Sequence, residues 1–448
     1  MVPLLIILIW SVCVAGAIPL PDPKFTFLAD GGGEFSSDDI PGVISVGFRY
    51  VVDDETPKEG EAMKIDNVWY FRDPKIPAFG NIEYFTMATL GNGDIALSET
   101  ITLKSAPMAT LPPRRMRGAV IFRDDFNGNQ LNTDNWLVQV TATGEWHREF
   151  QVYTHDPENV FLRNGHLYLK PTLTVDSPHF TENDLYHGIL DVKKTWGVCT
   201  DNGFNGCYRD AKDGLLPPLL SGRVDSKPTL KYGTVTVRAQ IPRGDWLWPA
   251  IWLMPKAQKY GYWPRSGEID MMEASCNEVM YWTNGGQKIG VQRVTSSIHL
   301  GPDSNGDRHI TGAKYKTSGD WHGFHTYKLD WSPDHVILYV DDQMVTRVDV
   351  HSDTNMWDHL GFKGNNIWSD GSHLAPFDQE FYLILNVATG GAPGIFGENG
   401  VTYAYPKPWQ NDAIDPMAQF WSNRNHWLPT WHGNDVAMII DYVEFRHA

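Results

Sequence analysis

From Lys24 to about Leu103 the chain alternates between apolar and polar positions with a period of two. Ile44, Val46, Phe48, Tyr50 and Val52 share one side of a strand, and Ile95, Leu97, Ile101 and Leu103 repeat the pattern. Asp30-Gly31-Gly32-Gly33 and Gly91-Asn92-Gly93 punctuate these runs as turns. Between Lys104 and Arg117 the pattern breaks, where prolines that cannot join a central ladder sit among basic residues. Alternation returns at Gly118 and continues to the end. Val235, Val237, Ala239 and Ile241 oppose Thr234, Thr236, Arg238 and Gln240, and Val336, Leu338 and Val340 run into an Asp341-Asp342-Gln343 turn. No stretch sustains a 3.6-residue period over several turns. The expectation is an all-β protein: a first sandwich over 18–104, a linker over 105–117 and a large second sandwich over 118–448.

Composition adds one departure from the ordinary. The 448 residues include 18 Trp, and aromatic residues make up 12%. Aromatic faces suit sugar rings, although large sandwiches also bury many aromatics. The formal net charge of −17 disfavours nucleic acid and anionic membranes as partners and fits a neutral polymer. Met1 to Ala17 is uncharged and mostly apolar, too short to span a bilayer, and closes on Ala15-Gly16-Ala17. It reads as a signal peptide over 1–17, so the mature protein is expected to be secreted. Secretion makes a disulfide between Cys199 and Cys207 the expected state, across a loop-like spacer, and leaves Cys276 as a free thiol.

The candidate chemistry lies in Gly267-Glu268-Ile269-Asp270-Met271-Met272-Glu273. In a regular strand Glu268 and Asp270 share one face, and strict alternation would send Glu273 to the apolar face with Ile269 and Met271. Burying an unpaired carboxylate is costly. A β-bulge at Met271-Met272 adds one residue and returns Glu273 to the acidic face. Two carboxyls about 5–5.5 Å apart with a third beside them suit glycoside hydrolysis with retention, because crowded like charges hold a proton that can be donated to a leaving oxygen. A solvated acidic rim is the competing reading, but Trp246, Trp248, Trp252, Trp263 and Trp282 crowd the same stretch.

Ser266-Gly267-Glu268-Ile269-Asp270-Met271-Met272-Glu273 resembles the E-x-D-x-x-E signature of glycoside hydrolase family 16. Gly244-Asp-Trp-Leu-Trp-Pro-Ala-Ile-Trp252, Ser297-Ile-His299-Leu-Gly-Pro, Phe324 to Trp331 and Ile440-Asp441-Tyr-Val-Glu-Phe are similar to its laminarinase branch, in order from about Val120 to Phe445. That resemblance implies a concanavalin-like β-jelly-roll sandwich and a retaining endo-β-1,3-glucanase. Glu268 would be the nucleophile, Glu273 the acid/base and Asp270 the residue that tunes them. Trp246, Trp248, Trp263 and His299 would contact substrate, and Arg238 is grouped with them. The resemblance implies no required cofactor; it admits a structural calcium with Asp441 as ligand. The partner would be a β-1,3-glucan such as laminarin, bound by a monomer.

The N-terminal segment resembles the glucan-binding module of the invertebrate β-1,3-glucan recognition proteins, through Asn67-Val-Trp69-Tyr-Phe71-Arg-Asp73 and Gly80-Asn-Ile-Glu-Tyr84-Phe85. It would then be an Ig-like β-sandwich that binds sugar or serves as a spacer. Thr86 stands where many members carry tryptophan. Many members of that group lack the catalytic glutamates, whereas this chain keeps both. The competing function is therefore a non-catalytic recognition protein of innate immunity.

Overall fold

The computed structural model describes residues 118–145 and 147–448 and, before them, 20, 23–27, 33–39, 41–52, 58–65, 68–73, 82–90 and 95–103. The signal peptide and the linker expected from sequence lie outside the described residues. The chain divides into two compact units, Met1–Arg115 and Met116–Ala448.

The first unit is built from short antiparallel strands. One sheet runs Lys24–Phe27, Gly33–Asp38, Val68–Asp73, Met63–Ile65. The other runs Lys58–Glu61, Val43–Val52, Ile82–Leu90, with Ile95–Leu97 and Ile101–Leu103 both paired to the last. Strand alternation sends Val46, Phe48, Tyr50 and Val52 inward, whereas a register shift between Val43 and Ser45 takes Ile44 off that face and leaves it 64% exposed, against the pattern read from sequence. Phe35 of the first sheet stacks on Phe48 of the second at 5.6 Å, so one aromatic core joins them. Thr86 is fully buried and Phe85 beside it is only partly buried. Position 86 therefore faces the core, and its identity says nothing about an exposed aromatic platform.

The second unit is a two-sheet sandwich. Seven of its strands carry the site: β1 (Trp136–Val138), β2 (Arg223–Leu230), β3 (Leu247–Pro255), β4 (Glu268–Glu273), β5 (Arg293–His299), β6 (Ile310–Tyr315) and β7 (Phe381–Thr389). They form an antiparallel sheet in the order β1-β2-β7-β3-β4-β5-β6. The facing sheet is centred on Met438–Arg446, Gly233–Gln240 and Phe324–Trp331. Between them, Ile251, Leu253, Ile269, Met271, Ile298 and Leu385 meet Val235, Val237, Leu329, Leu338 and Ile440 in one core. Asp341 and Asp342 both have positive φ, 50° and 60°, as a two-residue hairpin turn with the right-handed strand twist requires. Short helices such as Glu182–His187 and Pro416–Ser422 also occur. They span too few turns to leave a helical period in the sequence.

A second cluster packs beside the main core around Trp246, Trp409, Phe420, Trp421 and Trp427. Cys199 and Cys207 form the expected disulfide, and Cys276 is a buried free thiol.

Candidate active site

The site begins with a register shift. Between β3 and β4 the partners run Leu253–Ile269, Trp252–Asp270, Ile251–Met272 and Ala250–Glu273, so Met271 has no partner of its own. On the other side, Asp270 pairs with Ser297 and Glu273 with Thr295, leaving two residues of β4 opposite one of β5. This is a bulge at Met271-Met272, and both methionines are fully buried in the core. Ser296 Oγ donates to the Met271 carbonyl at 2.8 Å, satisfying a backbone acceptor that the bulge displaces from the ladder. As a result Glu268, Asp270 and Glu273 all point from the outward face. A regular strand would have buried Glu273.

Each glutamate has a tryptophan donor. Trp248 Nε1–H donates to Glu273 Oε1 at 2.9 Å, and Trp263 Nε1–H donates to Glu268 Oε2. Asp270 is 3% exposed, and its Oδ2 lacks a hydrogen bond but lies 3.4 Å from His299 Nε2. The other ring nitrogen of His299 meets Asp307 Oδ2 at 2.6 Å.

These contacts fix the electrostatics. Burial, then the charge of Asp270, pushes Glu268 well above the usual carboxylate range, while His299, and the hydrogen bond from Trp263, oppose the rise. Burial and Asp270 likewise push Glu273 up to about 7, against the Trp248 hydrogen bond and the charges of His299 and Arg293. Carboxyls coupled this strongly titrate as a set, and the site holds a shared proton near neutral pH. For His299, burial disfavours the cation, but its close contacts with Asp270 and Asp307 and the charges of Asp270 and Glu268 win, raising it to about 11.

Of the substrate-contact candidates, Trp248, Trp263 and His299 are gathered around the carboxylates. Trp246 is not. It has a positive φ of 68° just before β3 and is fully buried. Its indole packs against Tyr403 and Trp409, each at 4.9 Å, and donates to Tyr405 Oη. It therefore belongs to the aromatic core. Arg238 lies on the opposite sheet, where it pairs with Asp441 and sits 4.6 Å from the Phe324 ring. Contrary to expectation, neither can meet a sugar held at the carboxylates.

Asp441, the calcium-ligand candidate, pairs with Arg238 and lies 3.6 Å from His166 Nε2.

Sequence reasoning missed a polar row continuing across the same face. Ala250 of β3 pairs with Asn386 of β7, which pairs with Arg223 of β2. Asn386 Oδ1 accepts from Trp252 Nε1 at 2.7 Å, and the Arg223 guanidinium lies 5.3 Å from the Trp252 ring. Asp225 and Glu145 pair with that guanidinium. The period of two from Trp248 to Trp252 gives their shared face, but Asn386 and Arg223 reach it only through long-range pairing. A hollow of about 310 Å³ lined by Gln139, Asp225, Thr229 and Tyr382 lies beyond them. A larger one of about 620 Å³, at Arg424, Asn425 and Leu428, is lined by none of these residues.

Residues 195–365 match glycosyl hydrolases family 16. A β-1,3-glucan-binding protein of Penaeus monodon is 38% identical over 72% of this chain and 89% of its own length. Glucan endo-1,3-beta-glucosidase A1 of Niallia circulans is 30% identical over 61% of this chain and 34% of its own. The laminarinase of Rhodothermus marinus, a solved structure, is 22% identical with a TM-score of 0.46, over 75% of this chain and 99% of that one.

Proposed function

The chain belongs to glycosyl hydrolases family 16, in the group that includes β-1,3-glucan-binding proteins, and from that premise we propose that it captures β-1,3-glucan and cleaves it with retention of configuration. The observation that carries cleavage is the bulge at Met271-Met272, which brings Glu268, Asp270 and Glu273 to one face with an indole donor on each glutamate. A protein that only bound sugar would gain nothing from this row. Three crowded carboxylates cost stability, and neutral hydrogen-bonding groups would hold a glucan as well.

In this reading Glu268 attacks the anomeric carbon while Glu273 protonates the glycosidic oxygen, and the leaving chain departs with that proton. Glu273, now ionised, takes a proton from water. The resulting hydroxide attacks the anomeric carbon and releases Glu268. Trp248 and Trp263 orient the two carboxyls, and Trp252 extends the sugar-binding face.

A second reading, capture of glucan without cleavage in innate recognition, is supported by relatives such as the Penaeus monodon protein, which is known as a glucan-binding protein and favours binding more directly than cutting. Laminarin separates the two. Reducing-sugar release by wild type, and none by Glu268→Gln with binding kept, is the result the cleavage reading requires. Tight binding by both proteins, with the polymer left at full length, would leave capture as the function.

A further inference from the structure

The loop between β5 and β6 returns a second aspartate to the site. Asp303 caps its turn by accepting from the backbone N–H groups of Asn305 and Gly306. Gly301 lets the chain double back, since a Cβ there would lie 2.5 Å from the Gly306 carbonyl oxygen. Arg265 Nε donates to the Pro302 carbonyl at 2.8 Å, tying this loop to the segment that carries Trp263. The turn delivers Asp307, whose Oδ1 accepts from Leu300 N at 3.0 Å and whose Oδ2 meets His299 Nδ1. One carboxylate thus fixes both the backbone after β5 and the ring at its end. The Asp307, His299 and Asp270 side chains are only 12%, 17% and 4% exposed.

We propose that Asp307 is a positioning residue: it fixes His299 as a cation whose Nε2–H faces Asp270, and through that cation it sets the charge state of the carboxylate row. Its catalytic consequence rests on the cleavage reading above. The geometry leaves His299 little other role. Its two nitrogens point at two aspartates, and His309 lies flat on it with ring centroids 4.3 Å apart and planes at 17°. Trp263 packs against it at 5.8 Å. The charged and titratable groups that act on it are Asp270, Glu268 and Glu273 from β4, Asp307 from the loop, and His309 at the entry to β6. Burial and the His299 charge both disfavour a second cation on His309, which instead meets Ser297 Oγ at 3.2 Å. A neutral His309 can stack on a charged His299 without repulsion.

Asp307→Asn is the direct test, because the amide oxygen can still accept from Nδ1–H while the charge is lost. Imidazole titration by NMR should find wild-type His299 still protonated at about pH 9, and about three units easier to deprotonate in the variant, so that the cation is lost across the alkaline limb of the rate profile. On laminarin, the alkaline limb of the variant's rate profile should move up by about one unit, because the His299 cation holds both glutamates down. Asp307→Glu should restore both readouts. Asp303→Ala loosens the turn but keeps the charge, and should move neither. A wild-type His299 that titrates near neutrality, or an Asp303→Ala profile matching that of Asp307→Asn, overturns the proposal. If wild type leaves laminarin uncut, the cleavage reading fails, and the imidazole titration still decides the role of Asp307.

Discussion

Glu273→Gln should stabilise the folded protein at neutral and alkaline pH, and by an amount the structure bounds. The carboxyl ordinarily titrates at 4.5 and is pushed up to about 7, first by burial and then by Asp270. Between those two values the folded state holds a proton that the unfolded chain has released. Wild-type stability therefore falls as pH rises through this window and levels off above it. At 1.36 kcal/mol per unit the shift corresponds to about 3 kcal/mol. Sharing of the proton with Glu268 brings the expected figure to about 1–3 kcal/mol. Glutamine keeps an oxygen to accept from Trp248 Nε1–H and removes the charge that Asp270 opposes. Scanning calorimetry of the full chain at about pH 4.5 and pH 8 measures the difference directly. The variant should match wild type in acid and melt higher at pH 8, by about 2 °C for each kcal/mol in a unit of this size. A variant that melts lower at pH 8, or by an offset equal at both pH values, would refute the reasoning: Glu273 would then be an ordinary carboxylate.

Further outcomes follow from the same contacts. Trp248→Phe removes the hydrogen bond that opposes protonation of Glu273, so the alkaline limb of laminarin cleavage should move up by about one unit; a limb that stays in place contradicts that role. Trp246→Ala empties an aromatic box and should cost about 3–5 kcal/mol by denaturant titration, with laminarin affinity unchanged at temperatures where it folds. Trp263→Ala, next to Glu268, should weaken laminarin binding in calorimetry with a smaller stability loss. Chelation with EDTA should leave the melting temperature unchanged, because Arg238 already neutralises Asp441; a drop restored by calcium would show that the ion pair yields to metal.

The sequence by itself determined more of the site's core than of its surroundings. Period-two alternation gives the strand, and the cost of burying Glu273 demands a bulge. Both arguments are local, running along six residues, and the register of β4 against β3 and β5 agrees with them. The same local reasoning could not separate Trp246 from Trp248. They are two positions apart and would share a face in a continuous strand. Strand β3 begins only at Leu247, however, and a positive φ at Trp246 turns that indole into the neighbouring core.

The rest was decided by tertiary pairing. Arg238 sits in a clean alternating strand, yet that strand belongs to the sheet opposite the carboxylates, and nothing within it records which sheet it joins. Asn386 and Arg223 reach the carboxylate face across strands far apart in the chain. Asp307 carries no local signature, since its place depends on a turn closed by Asp303, Gly301 and an anchor from Arg265. Alternation fixes which way a side chain points relative to its own strand, because backbone sterics impose it residue by residue. What lies on the other side of that face is settled by long-range packing, and only the folded chain contains it.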